Sequence, residues 1–198
     1  MGEIKSAREI AMEKLANLGE VTPEERLRWK YVPEGEKLAA GYLKGESSLS
    51  PELSRYDEEA RKYVIHGALE ILVRNIDLPK NDSTQMSNKK AMEGVKSLKS
   101  DKAAVENVFS KIRRLFDHYT GEGDQQRKQT YESLKAEFAA RVEQALQQQY
   151  GTSVRLNVDV ESQPKFQEEW LKLKNQLDSQ YLKLLDEYKQ ELLSLPSK

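Results

Sequence analysis

The feature that most constrains the fold of this chain is a long, uninterrupted apolar pattern in residues 163–195. Apolar residues recur there every eleven positions, as in Phe166, Leu177 and Tyr188. Eleven residues in three turns correspond to about 3.67 residues per turn, which keeps an apolar stripe almost straight along a helix. Such a stripe drifts roughly 135° from a strict heptad register, so a left-handed coiled coil is disfavoured and a long bundle helix of about 48 Å is expected.

This stripe is also the strongest candidate for an interface with another helix. Acidic and basic residues alternate around it, which indicates a solvated helix face rather than a base-stacking or membrane-binding surface. The predicted interface residues of this helix are Phe166, Trp170, Leu173, Leu177, Tyr181, Leu184, Tyr188 and Leu192.

Another amphipathic helix is predicted at about residues 125–150, before the helix at 163–195. Its apolar residues, among them Tyr131, Phe138 and Val142, have the same spacing, and Gly151 ends the pattern. Two helices of similar pitch joined by a short segment predict an antiparallel pair.

The joining segment, about residues 153–161, is the one non-helical signal. Val154, Leu156, Val158 and Val160 alternate with polar residues, a period typical of a β-strand. A single strand lacks a pairing partner in a helical chain. It could pair with the same segment of a second copy, receive a strand from a partner, or lie extended in a groove between helices. These four residues complete the predicted interface.

Short helices are predicted before residue 80. Residues 3–18 carry apolar side chains on one face and end at Gly19. The sequence from Thr22 to Glu25, with a hydroxyl, a proline and two acids, is a typical helix start. We expect the helix that starts at Thr22 to end near Val32, because Pro33 disfavours helical backbone at the residue before it.

A third short helix is expected in residues 34–43, before Gly45. Ser50 and Pro51 repeat the start signal and predict a helix to about residue 72.

The polar stretch 81–90 is the best candidate for a boundary, because it is almost without apolar residues. A long helical pattern follows from Ala91 to Tyr119, with a restart near Asp101, and the glycines around residue 121 break it. We therefore predict an N-terminal helical region (1–80), a polar linker (81–90) and a long-helix region (91–198).

The composition restricts the classes of partner. The 32 basic and 33 acidic residues nearly cancel, so no strong field attracts nucleic acid or an anionic membrane. Cysteine is absent, which suits a reducing compartment. No apolar run approaches the roughly 18 residues of a membrane span, and no secretory signal is present. We expect a soluble cytoplasmic protein that binds neither nucleic acid nor membranes.

Motifs for catalysis are absent from the sequence. Neither histidine, His66 or His118, has the helical spacing to a second ligand that would direct both at one metal ion. No glycine pattern resembles a phosphate-binding loop. We predict no catalytic residue, no metal site and no cofactor, and we do not expect an enzyme.

The pair His66-Gly67 has two interpretations. The glycine could leave a notch for a ligand, or it could let another helix approach closely, which we favour. The first interpretation leads to an alternative function, a small-ligand or regulatory module with a pocket between the N-terminal helices near Trp29, Tyr31 and His66.

The leading prediction is an all-α protein with short N-terminal helices followed by long antiparallel ones. Its function is predicted to be that of a non-enzymatic scaffold, adaptor or assembly protein. Its partner is expected to be a second copy, bound through the C-terminal helix, or another helical protein.

Overall fold

The computed structural model describes residues 22–150 and 159–198. These ranges contain helices and no strand, so the all-α prediction is confirmed. The helices are α1 (Pro23–Lys44), α2 (Leu49–Leu53), α3 (Glu58–Arg74), α4 (Asp82–Leu98), α5 (Lys102–Thr120), α6 (Glu122–Tyr150) and α7 (Pro164–Ser194).

Two predicted elements fall outside the described residues. These are the helix at 3–18 and most of the extended segment, including Val154, Leu156 and Val158.

The chain forms two compact units, one of Met1–Leu72 with Ser197–Lys198 and one of Val73–Pro196. The sequence predicted a boundary at residue 80 instead. In the structure the polar stretch 81–90 forms the first part of α4, because Asn81 caps this helix by accepting a hydrogen bond from the Thr84 amide at 2.9 Å. Most of the polar residues in this stretch lie on the surface of α4, whereas Asn88 is buried. The division into domains remains a prediction.

Helix α1 begins where the sequence predicts. The Thr22 hydroxyl accepts a hydrogen bond from the Glu25 amide, and the Glu25 carboxylate accepts one from the Thr22 amide at 2.8 Å, which forms a capping box. The predicted end near Val32 is wrong, since the helix passes through Pro33 and continues to Lys44. It stops at Gly45, whose φ of 86° places it in the left-handed region.

Close packing of α1 on α3 explains why α1 continues through Pro33. A Cβ atom added to Gly35 would lie 2.0 Å from the Val64 carbonyl oxygen, and one added to Gly67 would lie 2.1 Å from the Val32 carbonyl oxygen. Each glycine therefore rests on the backbone of the other helix. The contact offsets the hydrogen bond that Pro33 forgoes. It also confirms the interpretation that Gly67 admits a neighbouring helix.

The helix predicted to run from Ser50 is interrupted after Leu53. The Asp57 carboxylate then accepts a hydrogen bond from the Ala60 amide at 2.7 Å and starts α3. The predicted restart at Asp101 is confirmed, since its carboxylate accepts bonds from the amides of Ala103 and Ala104.

Helix α7 packs against both α5 and α6. Residue numbers fall along α7 as they rise along α5 and α6, so α7 is antiparallel to both, and the predicted antiparallel pair is confirmed. The pairs that define this order are Lys111–Glu191, His118–Tyr181, Arg127–Asp178 and Tyr131–Trp170.

The end of α7 is anchored to the turn between α4 and α5. The fully buried Lys99 ammonium donates hydrogen bonds to the carbonyls of Leu193 and Leu195, which α7 itself leaves unpaired. Burial lowers the pKa of Lys99. Ser100 adds a bond from its amide to the Pro196 carbonyl at 3.1 Å. This anchoring sets the position of α7 along α5.

Candidate functional site

The apolar stripe of α7 is divided between two neighbours. Its first half packs on α6 and its second half on α5, so the buried face rotates around the helix. Asp178, Leu185 and Leu192 are buried and recur every seven residues, whereas Leu184 is 41% exposed beside Leu185 at 1%. The eleven-residue stripe therefore describes α7 only partly.

The first part of the predicted interface is packed inside the chain. Phe166 and Val160 belong to a buried cluster with Leu134 and Phe138 of α6. The rings of Tyr131 and Trp170 meet edge to face, 5.0 Å between centroids. Phe166 and Val160 are therefore core residues, and Trp170 is partly buried against them. At the other end Leu192 is fully buried and Tyr188 lies 5.9 Å from the Lys111 ammonium.

The remaining four predicted interface residues come together in one groove. Leu173, Leu177, Tyr181 and Leu184 line a concave surface of about 510 Å³ that α5 and α6 complete. The other lining residues are Leu115, His118, Gln126, Thr130, Gln176 and Gln180. None of the ten is Asp, Glu, Lys or Arg, although such residues make up 33% of the chain. We refer to this surface as the α7 groove.

A buried polar cluster lies beside the α7 groove, where α5 meets α6. The Arg127 guanidinium lies 4.0 Å from the ring centre of Tyr119 and donates a hydrogen bond to the Tyr119 carbonyl at 2.9 Å. Its Nη1 is 3.7 Å from Oδ1 of Asp178, which is 4% exposed. Burial, and next the nearby Asp178 charge, raises the pKa of Tyr119 to about 12.

Tyr181 connects this cluster to the groove. Its ring meets Tyr119 edge to face at 5.1 Å, and its hydroxyl lies 2.9 Å from Nδ1 of His118. Nε2 of His118 is 2.8 Å from a Glu122 carboxylate oxygen. Gly123 leaves room for the hydroxyl, because a Cβ there would be 2.7 Å from it. The wall of the groove is thus held by directional contacts, which favours a preformed surface.

Sequence reasoning missed Asp178 and Arg127. No role was predicted for Asp178 from the sequence, although it directly follows Leu177. The signal that could have found it is the seven-residue spacing that it shares with Leu185 and Leu192.

A second cavity, of about 630 Å³, lies between α4 and α5. Met92, Phe109 and Phe116 form its apolar part, but six charged side chains also line it. Two of them, Lys96 and Arg113, pair with a third, Glu106, which lowers the pKa of Glu106. Opposite charges thus already neutralise one another there, unlike in the α7 groove.

The predicted ligand pocket is not assembled. Tyr31 packs edge to face on Tyr56 at 6.0 Å, whereas Trp29, two positions earlier in the same helix, is 66% exposed. Residues two apart point to opposite sides of a helix. His66 is exposed and pairs with Glu70 at 3.3 Å, and the notch beside it is filled by the Val32 backbone.

Two kinds of feature are absent from residues 22–150 and 159–198. No group of three or more His, Asp or Glu side chains in these ranges is arranged to hold a metal ion. None of their helices combines the length and the apolar character needed to cross a bilayer.

Comparison with known proteins assigns the chain to a family. No curated protein and no solved structure matches it. The family match covers residues 50–194, which include the whole α7 groove and end with the last residue of α7. The chain therefore belongs to a family of unknown function (DUF6657).

Proposed function

We propose that this protein is a non-enzymatic helical scaffold that assembles with a second copy of itself through the α7 groove. The observation that carries the proposal is the lack of Asp, Glu, Lys and Arg side chains in a concave surface of a highly charged chain. The centres of protein interfaces are depleted of charge in the same way and enriched in aromatic residues such as Tyr181.

The absence of Asp, Glu, Lys and Arg from the lining favours a second copy as the occupant. In a two-fold symmetric contact each patch meets its own copy, so a charged residue near the axis would face a like charge. The groove avoids this repulsion. Its uncharged polar residues, such as Gln176 and Gln180, can hydrogen-bond equally well to their own kind, because an amide both donates and accepts.

The shape of the surface supports the same partner. Leu184 lines the α7 groove with 41% of its area exposed, and Leu177, two turns earlier on the same helix, lines it half-buried. In a two-fold contact the exposed Leu184 of each copy can enter the groove of the other. The groove follows α7 from Leu173 to Leu184, about 17 Å of the helix.

The test is the solution mass of the full chain, measured by light scattering over a range of concentrations. We expect the wild type to be a dimer and Leu184→Asp to be a monomer, because the substitution places a charge in the apolar contact. Leu184 is exposed in the single chain, so the variant should keep its helix content by circular dichroism.

The matched control is Leu182→Asp. Leu182 lies on the same helix with similar exposure, 43%, but does not line the groove. The Leu182→Asp variant should therefore remain dimeric. A monomeric wild type, or equal masses for the two variants, would refute assembly through the α7 groove.

A further inference from the structure

The outward face of α1 carries a row of cations. Lys30, Lys37 and Lys44 recur every seven residues, and Arg26 extends the row by one further position on the same face. All four are exposed, and so are Pro33 and Ala40 between them. The spacing of these six residues, alternately four and three, defines one line about 27 Å long on a helix. We call it the α1 cationic stripe.

The acidic residues of α1 are used elsewhere. Glu25 belongs to the capping box with Thr22. Glu24 and Glu34 accept hydrogen bonds from two tyrosines of the same unit, Tyr63 and Tyr56. Three of the four acids of α1 are therefore engaged with neighbours in their own unit, although the charge of Glu34 also acts on Lys30.

The fourth acid, Glu36, is half-buried at the margin of the stripe. Among residues 22–150 and 159–198, no acidic side chain forms an ion pair with Arg26, Lys37 or Lys44. The Lys30 ammonium donates a hydrogen bond to the hydroxyl of the adjacent Tyr31 at 3.1 Å. Within the described residues, the charges of Arg26, Lys37 and Lys44 are therefore not neutralised by an ion pair, whereas the hydrogen bond to Tyr31, and to a smaller extent the charges of Glu34 and Asp57, raise the pKa of Lys30.

Trp29 adds an apolar anchor to the stripe. It is 66% exposed and lies next to Pro33, one turn further along the same face. Exposure of so large an aromatic surface is unfavourable in water, and tryptophan is the residue type most enriched among the energetic centres of interfaces.

We propose that the α1 cationic stripe binds an acidic amphipathic helix of a partner protein. A helix lying along α1 would meet positions spaced alternately by three and four residues, which is the spacing of the stripe. Carboxylates placed every seven residues would face the lysines. The small surfaces of Pro33 and Ala40 would leave room for apolar side chains, which Trp29 would cover on one side.

An acidic helix fits better than nucleic acid or an anionic membrane. Attraction to those two polyanions grows with summed positive charge, and this chain has a formal net charge of −1. Pairs between neighbouring helices act over a few ångströms and do not depend on the total charge. The inference does not rest on the α7 groove, and it would give the scaffold a second, different partner.

The two tryptophans of the chain allow a direct test. Trp170→Phe leaves Trp29 as the only tryptophan reporter in an otherwise unchanged full-length protein. The probe is an alanine-rich helical peptide of about four heptads, with Glu at every seventh position. The comparison peptide has Gln in place of each Glu. We expect a saturable blue shift of Trp29 emission with the Glu peptide, weakened by salt, and none with the Gln peptide.

Two matched substitutions locate the contact. Lys37→Gln, in the middle of the stripe, should lower the affinity for the Glu peptide about fivefold, as expected for one exposed ion pair. Lys62→Gln removes an exposed lysine of α3 in the same unit and should leave the affinity unchanged. Replacing all three lysines of the stripe by Gln should abolish the blue shift of Trp29 emission.

Several results would overturn the proposal. They are the absence of a shift with the Glu peptide, an equal shift with the Gln peptide, and equal effects of Lys37→Gln and Lys62→Gln. Vesicles of phosphatidylglycerol and single-stranded DNA are tested in parallel. A response to either that matches the response to the peptide would show a general attraction to polyanions, which also contradicts the proposal.

Discussion

The crossing of α1 and α3 provides the sharpest test of the fold, through the substitution Gly35→Ala. The added methyl group would lie 2.0 Å from the Val64 carbonyl oxygen and 2.9 Å from the Ala68 amide nitrogen. Ordinary van der Waals contact begins near 3.4 Å. Both neighbours are backbone atoms of a helix, so no side-chain rotation can relieve the clash, and the two helices must separate by more than an ångström.

The expected loss of stability follows from two opposing effects. Overpacking of a tight contact costs about 1–3 kcal/mol, and the rigid backbone here places Gly35→Ala at the upper end. Alanine is favoured over glycine inside a helix by about 1 kcal/mol, which acts in the opposite direction. We therefore expect the free energy of unfolding to fall by about 2 kcal/mol.

The matched control is Gly41→Ala in the same helix. Its added methyl group would meet only the Ser47 side chain, with the hydroxyl oxygen at 2.9 Å, and that hydroxyl can rotate away. The helix-propensity gain is the same, so this variant should be unchanged or more stable by up to about 1 kcal/mol.

Urea unfolding is the appropriate assay, followed by circular dichroism for the whole chain. In the Trp170→Phe background, Trp29 fluorescence reports on the unit that contains α1. A Gly35→Ala variant as stable as Gly41→Ala would show that the two helices do not cross so closely.

Two further predictions concern the buried polar cluster beside the α7 groove. Asp178→Asn should lower the free energy of unfolding by about 1–3 kcal/mol, because the buried Arg127 guanidinium then keeps, among the described residues, a single carboxylate neighbour, Asp124, with 3.7 Å between Nη2 and Oδ1. The double variant Arg127→Met, Asp178→Leu should recover most of this loss in urea unfolding. An equal loss in both variants would argue against the weakened charge pairing as the cause. Tyr119, whose pKa is raised to about 12, should ionise after ordinary tyrosines in an ultraviolet absorbance titration of the folded protein. Since the folded-state pKa is the higher one, the stability that Tyr119 contributes is complete below about pH 10 and is lost as the pH rises toward 12; Tyr119→Phe should reduce this alkaline loss, and an unchanged titration curve in that variant would contradict the assignment.

Local signals in the sequence were sufficient to place most helix ends. A cap such as Thr22 or Asp101 satisfies amides within its own first turn, and a glycine such as Gly45 adopts its left-handed backbone without help from distant residues. These interactions join residues only a few positions apart, so they can be predicted from the order of residues alone.

The candidate site was predictable only in part. The sequence identified Leu173, Leu177, Tyr181 and Leu184 as interface residues, and they do line one groove. It could not separate them from Phe166 or Leu192, which have the same apolar character but are buried within the chain. Periodicity shows which side of a helix is apolar, but it does not show how many neighbours share that side.

By itself, the sequence determined the all-α class, the long last helix, the caps at Thr22 and Asp101 and the helix stop at Gly45. The tertiary structure alone decided the continuation of α1 through Pro33, the helical state of the polar stretch 81–90 and the burial of Asp178. In each of these places the local preference is weak or unfavourable. A contact between segments distant in sequence outweighs it, as when the Val64 backbone rests on Gly35 or the Arg127 guanidinium faces Asp178.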